Sequence, residues 1–148
     1  MLQIRKIKRS DIDFVIEITS ENRFPGDKLL SNIENFLICE SDGEKCGCGC
    51  IALFGGKGYI SWVVIKERYR RQRFGDAIVR ALLNIADLRG VEEVYAVGIC
   101  EDFLKSMGFE RQENSSAVDD IKKMIGDSGD SEYYRVSLKN YFKPCSQR

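Results

Sequence analysis

One stretch, between residues 59 and 89, constrains the fold of this chain more than any other. Residues Tyr59–Ile65 are β-branched or aromatic apart from one serine, which is the composition of a buried strand. From Phe74 to Leu88 apolar residues recur at three- and four-residue spacing, which predicts an amphipathic helix that ends near Arg89. Lys66–Arg73, hereafter the basic turn, join the two and carry five positive charges and one negative. The sequence therefore predicts a strand that passes through a short basic turn directly into a helix.

This arrangement is suited to binding a compact anion. The first N–H groups of a helix have no acceptor within the helix, and the helix dipole favours negative charge at that end. Arginine side chains add forked donors that match phosphate oxygens. We therefore expect the basic turn to hold a phosphate group and not to be simply a solvated turn.

The overall charge argues against nucleic acid as the ligand. The 148 residues include 23 Lys and Arg and 23 Asp and Glu, so the formal net charge is zero. A nucleic-acid binder normally has a basic excess over the domain or over one face, and here the excess is local. Aromatic and basic residues are not interleaved as on a single-strand binding surface. A nucleic-acid binder is the less favoured alternative, and steeply salt-dependent oligonucleotide binding would support it.

Length and composition predict one soluble domain over residues 1–148. That length suffices for a single hydrophobic core. The N-terminal residues lack the apolar centre of a signal peptide, and no apolar run approaches about 18 residues, so we expect a cytoplasmic protein without a membrane partner. The six cysteines are then expected to be reduced thiols. The chain has no histidine, which excludes a Ser-His or Cys-His catalytic pair.

The alternating run Cys46-Gly47-Cys48-Gly49-Cys50 resembles a metal site only at first sight. The run belongs to a predicted strand, where alternate residues share one face about 6.5–7 Å apart. Tetrahedral zinc needs its sulfur ligands roughly 3.8 Å apart. We therefore predict small buried strand residues and no metal. The alternative is a bulge that gathers the thiols, which tight stoichiometric zinc binding would reveal.

Hydrophobic patterns along the chain predict the element order β-α-α-β-β-β-α-β-α-β-β, with a further helical pattern at 117–125. Ser10 is the expected cap of the first helix. Hairpins precede the main helix and a crossover follows it, which predicts an α/β (α+β) domain. The predicted strands are 2–8, 36–39, 46–54, 59–66, 94–97, 109–112 and 133–138, and the other predicted helices are 27–34, 74–89 and 101–107.

Two segments of the sequence have recognisable patterns. The first is Ile65-x-x-x-Tyr69-Arg70-x-x-x-x-Gly75-x-x-Ile78-Val79, and the second is Phe103–Phe109, FLKSMGF. Both resemble motifs of the GNAT-type (GCN5-related) N-acetyltransferases. In that family a Q/R-x-x-G-x-G/A loop between the fourth strand and the next helix holds the pyrophosphate of acetyl-CoA, and a segment of the type FYEKLGF follows downstream.

The two motifs occur in the expected order, and the element order over roughly residues 2–112 also fits the family. The resemblance implies a mixed, mostly antiparallel central sheet of about six to seven strands flanked by helices. It implies that acetyl-CoA is the co-substrate and that no metal is needed. It also implies the cofactor-binding residues: Val63, Val64 and Ile65 for the pantetheine arm; Arg70, Arg71, Gln72, Arg73, Phe74, Gly75 and Asp76 for the pyrophosphate; Phe103 and Lys105 near the far side of the cofactor.

The chain departs from the family at two positions. Arg73 stands where the loop motif has its middle glycine, so its side chain either obstructs the phosphate or supplies a new contact. The tyrosine that family members use to protonate the departing CoA thiolate is Leu104 here. Cys100, at the end of the fifth strand, is the catalytic candidate; the alternative is that it is a small buried residue. Tyr133, Tyr134 and catalysis by positioning alone also remain open.

The resemblance implies a primary amine as acceptor, on a small molecule such as an amino acid or on a peptide. Residues 32–48 are similar to the amino-acid N-acetyltransferase branch of the family, and Arg23 or Lys28 would then meet an acceptor carboxylate. The alternative function is a CoA-binding module without turnover, which Leu104 and Arg73 would both permit. A second copy of the chain, in a homodimer, is a further candidate partner.

Overall fold

The computed structural model describes residues 1–20, 36–97, 99–125, 131–139 and 141–142, and within these ranges the predicted α/β fold class is confirmed. No helix in these ranges combines the length and apolar composition needed to cross a membrane. The predicted helix at 27–34 lies outside the described residues. The strands are β1 (Leu2–Lys6), β2 (Phe36–Ser41), β3 (Glu44–Phe54), β4 (Lys57–Ile65), β5 (Glu93–Val97), β6 (Glu110–Gln112) and β7 (Tyr133–Ser137). The helices are α1 (Ile12–Ser20), α2 (Phe74–Leu88), α3 (Glu101–Ser106) and α4 (Ser116–Ile125). Two 3-10 turns lie at Arg9–Asp11 and Glu67–Tyr69.

The chain divides into two compact units. The first comprises Met1–Ala52 and Ile60–Ile85, and the second comprises Leu53–Tyr59 and Ala86–Arg148. Strands β3 and β4 contribute residues to both units, because the hairpin that connects them belongs to the second unit while the rest of each strand belongs to the first.

The first unit is built on strands in the order β1-β2-β3-β4. β1 pairs antiparallel with β2, and β2 pairs antiparallel with β3. Val15 and Ile18 of α1 pack in one buried cluster with strand residues, so the apolar side of α1 covers one face of these strands. The strand residues in that cluster are Phe36, Ile38, Cys48, Cys50 and Val64.

A bulge in β3 brings two of the cysteine side chains together. Cys39 pairs with Gly47 and Glu40 pairs with Lys45, so Cys46 is the extra residue. Its sulfur lies 3.2 Å from the Cys39 sulfur and 3.2 Å from the Cys39 carbonyl oxygen. Cys46, Cys48 and Cys50 are all fully buried, as the sequence predicts, and burial raises the pKa of the Cys48 thiol to about 12. Within the described ranges the bulge gathers one pair of thiols, and no three Cys, His, Asp or Glu side chains form a metal site.

The start of α1 differs from the sequence prediction. Ser10 lies inside the 3-10 turn and does not cap the helix. Instead the Asp11 carboxylate accepts the Lys8 backbone N–H at 2.7 Å and is fully buried. Arg5 donates to both of its oxygens, at 2.7 and 2.9 Å, and the Lys45 ammonium lies 2.7 Å away. The Arg5 guanidinium therefore holds the pKa of Asp11 well below its usual range.

The second unit contains strands in the order β5-β7-β6, both pairs antiparallel. Tyr95 of β5 and Tyr133 of β7 form a buried cluster with Val118 and Ile121 of α4. The predicted helix at 117–125 is therefore confirmed as α4, and its apolar side packs on this sheet. The predicted end of the main helix near Arg89 is confirmed to within one residue, and Leu88, which continues the apolar spacing of α2, is 77% exposed.

Candidate functional site

The predicted strand, turn and helix are confirmed around the basic turn. β4 ends at Ile65, and the Lys66 N–H donates to the Cys46 carbonyl at 2.8 Å, which fixes the turn to the start of β3. The 3-10 turn Glu67–Tyr69 follows, and residues 70–73 then lead into α2 at Phe74. By helix geometry the N–H groups of the first turn of α2 have no acceptor within the helix.

Two arginines in the turn have a backbone conformation that normally favours glycine. Arg71 has φ of 68° and Arg73 has φ of 61°, both in the left-handed region. For a residue with a Cβ atom this conformation costs roughly 1–2 kcal/mol. Arg73 occupies the position of the motif glycine, so the backbone there has a glycine-like conformation although the residue has changed. Turns of this kind direct successive N–H groups to one side and form concave anion sites.

The side chains of the turn differ in what they can offer a ligand. Arg71, Gln72 and Arg73 are exposed. Arg70 is also exposed, but its Nε donates to the Ile65 carbonyl at 3.0 Å, which restrains the side chain. Phe74 is also among the residues predicted to meet the pyrophosphate. Its side chain is only 8% exposed, so Phe74 can offer a ligand only its backbone. Gly75 and Asp76 are half-buried in the first turn of α2.

A cavity of about 470 Å³ lies beside the turn in the first unit, within the size range of small-molecule sites. The Lys66 ammonium lies 5.4 Å from the centroid of the Phe14 ring, and the Lys45 ammonium lies 5.9 Å from it. The cavity therefore combines an aromatic wall with basic side chains. Its lining residues are Phe14, Glu17 and Ile18 of α1 with Ile65, Lys66, Glu67, Arg68 and Arg70.

The predicted pantetheine-binding residues of β4 are partly core residues. The Val64 side chain is 6% exposed and packs with α1, whereas Val63 and Ile65 are half-buried. A Cβ atom on Gly47 of β3 would lie 2.6 Å from both the Ile65 Cδ1 atom and the Val64 carbonyl oxygen. The glycine that separates Cys46 from Cys48 therefore allows β3 to approach β4 closely where the turn begins. A role for the β4 main chain in cofactor binding stays a prediction.

The remaining predicted residues belong to the second unit. Cys100 is exposed, so its interpretation as a small buried residue is wrong; it lies immediately before α3. Leu104, at the family tyrosine position, is fully buried. Phe103 is half-buried, and the Lys105 ammonium is exposed and lies 2.9 Å from Glu101 one helical turn earlier.

The two tyrosines kept open as alternatives to Cys100 lie next to each other in β7. Tyr133 is a core residue, 1% exposed. The Tyr134 hydroxyl donates to Glu132 at 3.4 Å, and burial raises the Tyr134 pKa. Arg23 and Lys28 lie outside the described residues.

Comparison with known proteins identifies the family. Residues 4–111 match the model of the acetyltransferase (GNAT) family, which is more than half of the chain. A curated relative, an uncharacterized N-acetyltransferase of Chlorobaculum tepidum, is 25% identical over 118 residues, which is 74% of this chain and 76% of the relative.

Solved structures of GNAT enzymes share the fold at low sequence identity. N-acetylglutamate synthase from Neisseria gonorrhoeae, complexed with coenzyme A and N-acetyl-glutamate, superposes with a TM-score of 0.80 at 17% identity over 93% of this chain. The chain spans 35% of the length of that synthase. The ribosomal-protein-S18-alanine N-acetyltransferase from Escherichia coli gives a TM-score of 0.71 at 15% identity, covering 93% of this chain and 94% of that one. The chain belongs to the acetyltransferase (GNAT) family, and an acyl-CoA-dependent acetyltransferase is the enzyme class that its sequence predicts.

Proposed function

We propose that this protein transfers an acetyl group from acetyl-CoA to a primary amine and holds the cofactor pyrophosphate at the basic turn. The observation that carries the proposal is the left-handed backbone at Arg71 and Arg73, directly before α2. This conformation costs free energy, and strained backbone of this kind concentrates at ligand-binding sites. Arg73, at the position of the motif glycine, has the left-handed backbone that glycine adopts most easily.

The residues present fit a pyrophosphate group. The N–H groups of Phe74, Gly75 and Asp76, in the first turn of α2, would donate hydrogen bonds to the anion. The exposed guanidinium groups of Arg71 and Arg73 are available around it for charge-assisted hydrogen bonds. The bound cofactor would supply an activated thioester, and the protein would bind and orient it and exclude water.

The proton transfers need groups other than Leu104. The acceptor amine must lose a proton and the departing thiolate must gain one, and a leucine can do neither. Cys100 remains our candidate, because it is exposed and carries an ionisable thiol. Replacement of Cys100 by Ala should lower kcat by about 100-fold or more if the thiol moves a proton. An unchanged kcat would leave Tyr134 or catalysis by positioning alone.

The acceptor is proposed to be a small-molecule amine such as an amino acid, with a peptide amine as the alternative. The cavity next to the basic turn supports the first choice through its size and through Lys66 and Arg70, which could meet a carboxylate. Among the structural neighbours, both classes occur: the synthase is bound to N-acetyl-glutamate, and the Escherichia coli enzyme is named for a ribosomal protein. Acetylation of free amino acids, their amides and short peptides, assayed in parallel, separates the two classes.

Calorimetric titration with acetyl-CoA and with CoA tests the cofactor site first. Micromolar binding by the wild type supports the proposal and justifies the acceptor screen. Binding by Arg73→Gly but not by the wild type would mean that the fold persists while cofactor use has been lost. Binding without transfer to any amine would indicate a CoA-binding module. No binding by either protein would contradict the proposal.

A further inference from the structure

Tyr69 connects the basic turn to β3 on one side and to the start of α2 on the other. Its hydroxyl donates to Glu44 at 2.5 Å and accepts a hydrogen bond from Arg68 at 2.7 Å. Arg68 also pairs with Glu44, so the three side chains form a closed triangle that ties the turn to the first residue of β3. On its other side the Tyr69 ring stacks on Phe74, with ring centroids 5.9 Å apart and an angle of 27° between the planes.

The backbone between Tyr69 and Phe74 is strained and must be held in place by contacts with its surroundings. Arg71 and Arg73 have left-handed backbone conformations, which L-residues keep only where the surroundings impose them. Tyr69 precedes this segment and Phe74 follows it, and the stacked rings bring the two ends together. Phe74 is buried in the core, so the stack ties the turn to a fixed point of α2. Side-chain hydrogen bonds from Arg70 to the Ile65 carbonyl and from Gln72 to the Arg68 carbonyl also hold the segment.

We propose that Tyr69, oriented by Glu44, is a positioning residue that holds the basic turn in its anion-binding conformation. The ring contributes the stack on Phe74, and the hydroxyl fixes the ring through Glu44 and Arg68. The part of this proposal that concerns CoA rests on the proposed function; the part that concerns the conformation of the turn does not.

The expected effect is local. Glu44 and Arg68 are substantially exposed, with 47% and 64% of their side-chain surface accessible, and polar contacts at such sites add little to global stability. Loss of the hydroxyl should therefore leave the melting temperature nearly unchanged. It should still let the turn visit conformations in which the N–H groups no longer converge.

The variant Tyr69→Phe removes the hydroxyl and keeps the stack, and Tyr69→Ala removes both. Tyr95→Phe is the matched control, because the Tyr95 hydroxyl also donates to a glutamate, Glu93, at 2.9 Å, but belongs to the second unit. Glu44→Gln, which removes the charge that orients the phenol, should reproduce the effect of Tyr69→Phe in part.

Limited digestion with trypsin, without any ligand, reports on the turn itself, because Arg70, Arg71 and Arg73 are cleavage sites inside it. We expect Tyr69→Phe to be cleaved at these sites about fivefold faster than the wild type, in keeping with the loss of one hydrogen bond. Tyr69→Ala should be cleaved faster still, and the Tyr95→Phe control should match the wild type at these sites.

Ligand measurements on the same proteins test the functional consequence. The dissociation constant of CoA and the KM for acetyl-CoA should rise about fivefold in Tyr69→Phe, from the same loss of one hydrogen bond, while kcat stays unchanged. A residue with a merely structural role would change the melting temperature or kcat instead.

The outcomes separate this proposal from the proposed function. If the wild type binds CoA and Tyr69→Phe equals it in cleavage and in affinity, the positioning role is wrong while the cofactor site stands. If cleavage responds to Tyr69→Phe but no protein binds CoA, Tyr69 positions the turn and the proposed function is wrong. Equal acceleration of cleavage in Tyr95→Phe would also overturn the positioning role.

Discussion

At the residue scale, the backbone of the basic turn explains how an arginine can replace the motif glycine. The sequence left two options for Arg73, obstruction of the phosphate or a new contact. Its side chain is exposed, and its φ of 61° keeps the glycine-like conformation. The replacement therefore leaves an exposed charged donor beside the proposed phosphate site and costs free energy through the left-handed backbone.

Because of this cost, Arg73→Gly should raise the free energy of unfolding by about 0.5–1 kcal/mol, the strain relieved less the added entropy of the unfolded chain. Arg71→Gly, at φ of 68°, should behave alike. The control is Arg80→Gly, which also removes an exposed arginine but lies within α2, where glycine costs about 1 kcal/mol. Urea denaturation measures all three; a shift of Arg73→Gly in the same direction as Arg80→Gly would contradict the strain argument.

At the element scale, one buried carboxylate joins several strands to the first helix. Asp11, in the turn before α1, is bound by Arg5 of β1 and by Lys45 of β3, and Arg5 also binds Glu40 of β2 at 2.5 Å. These contacts hold α1 in place, and α1 forms the wall of the cavity next to the basic turn. The site therefore depends on a charge cluster that no ligand would touch.

Removal of this carboxylate should be strongly destabilising. Asp11→Ala leaves Arg5 and Lys45 without their shared partner, and we expect a loss of about 3 kcal/mol in the free energy of unfolding. Glu101→Ala, which breaks the exposed pair with Lys105, is the control and should change stability little. Chemical denaturation of both variants makes the comparison; a small effect of Asp11→Ala would show that the cluster does not hold α1.

The same carboxylate predicts the response to acid. Because the folded pKa of Asp11 is depressed below its ordinary value of 3.8, its contribution is present above that value and is lost as the pH falls below about 4. The wild type should therefore lose stability in this range, and Asp11→Asn should lose less. Equal acid sensitivity of the two proteins would exclude Asp11 as the source.

At the scale of the whole molecule, the two compact units share strands. Residues of β3 and β4 belong to both units, so neither unit can lose these strands without disrupting the other. We therefore propose that residues 1–148 unfold as one cooperative domain. In calorimetry the van't Hoff enthalpy should equal the calorimetric enthalpy. Two resolved transitions would indicate that the units are independent domains.

The neutral net charge also belongs to this scale. Because the excess of positive over negative charge is confined to the short basic turn, binding of CoA should depend on salt far less steeply than binding of a long polyanion. Titrations with CoA and with an oligonucleotide at several salt concentrations would therefore distinguish the nucleic-acid alternative by its steeper salt dependence.

Sequence by itself determined the parts of this protein that depend on local patterns. The β-branched and aromatic composition of residues 59–65, the charge of residues 66–73 and the period of three to four in α2 predicted the strand, the turn and the helix. The spacing of Cys46, Cys48 and Cys50 predicted buried thiols. Each of these features depends on the residue types within one short stretch of the chain. The neighbouring residues therefore suffice to predict it.

Only the tertiary structure decided which of several competing local options was used. Ser10 was a suitable cap, but it lies inside the 3-10 turn, and the neighbouring Asp11 is buried there because Arg5 of β1 and Lys45 of β3 neutralise its charge. Likewise the pairing of β2 with β3 placed the bulge at Cys46, and Glu44 reached Tyr69 only because β3 begins beside the basic turn. The physical reason is the same in each case: the free energy that selects the contact comes from residues far apart in the chain, and a local pattern contains no information about them.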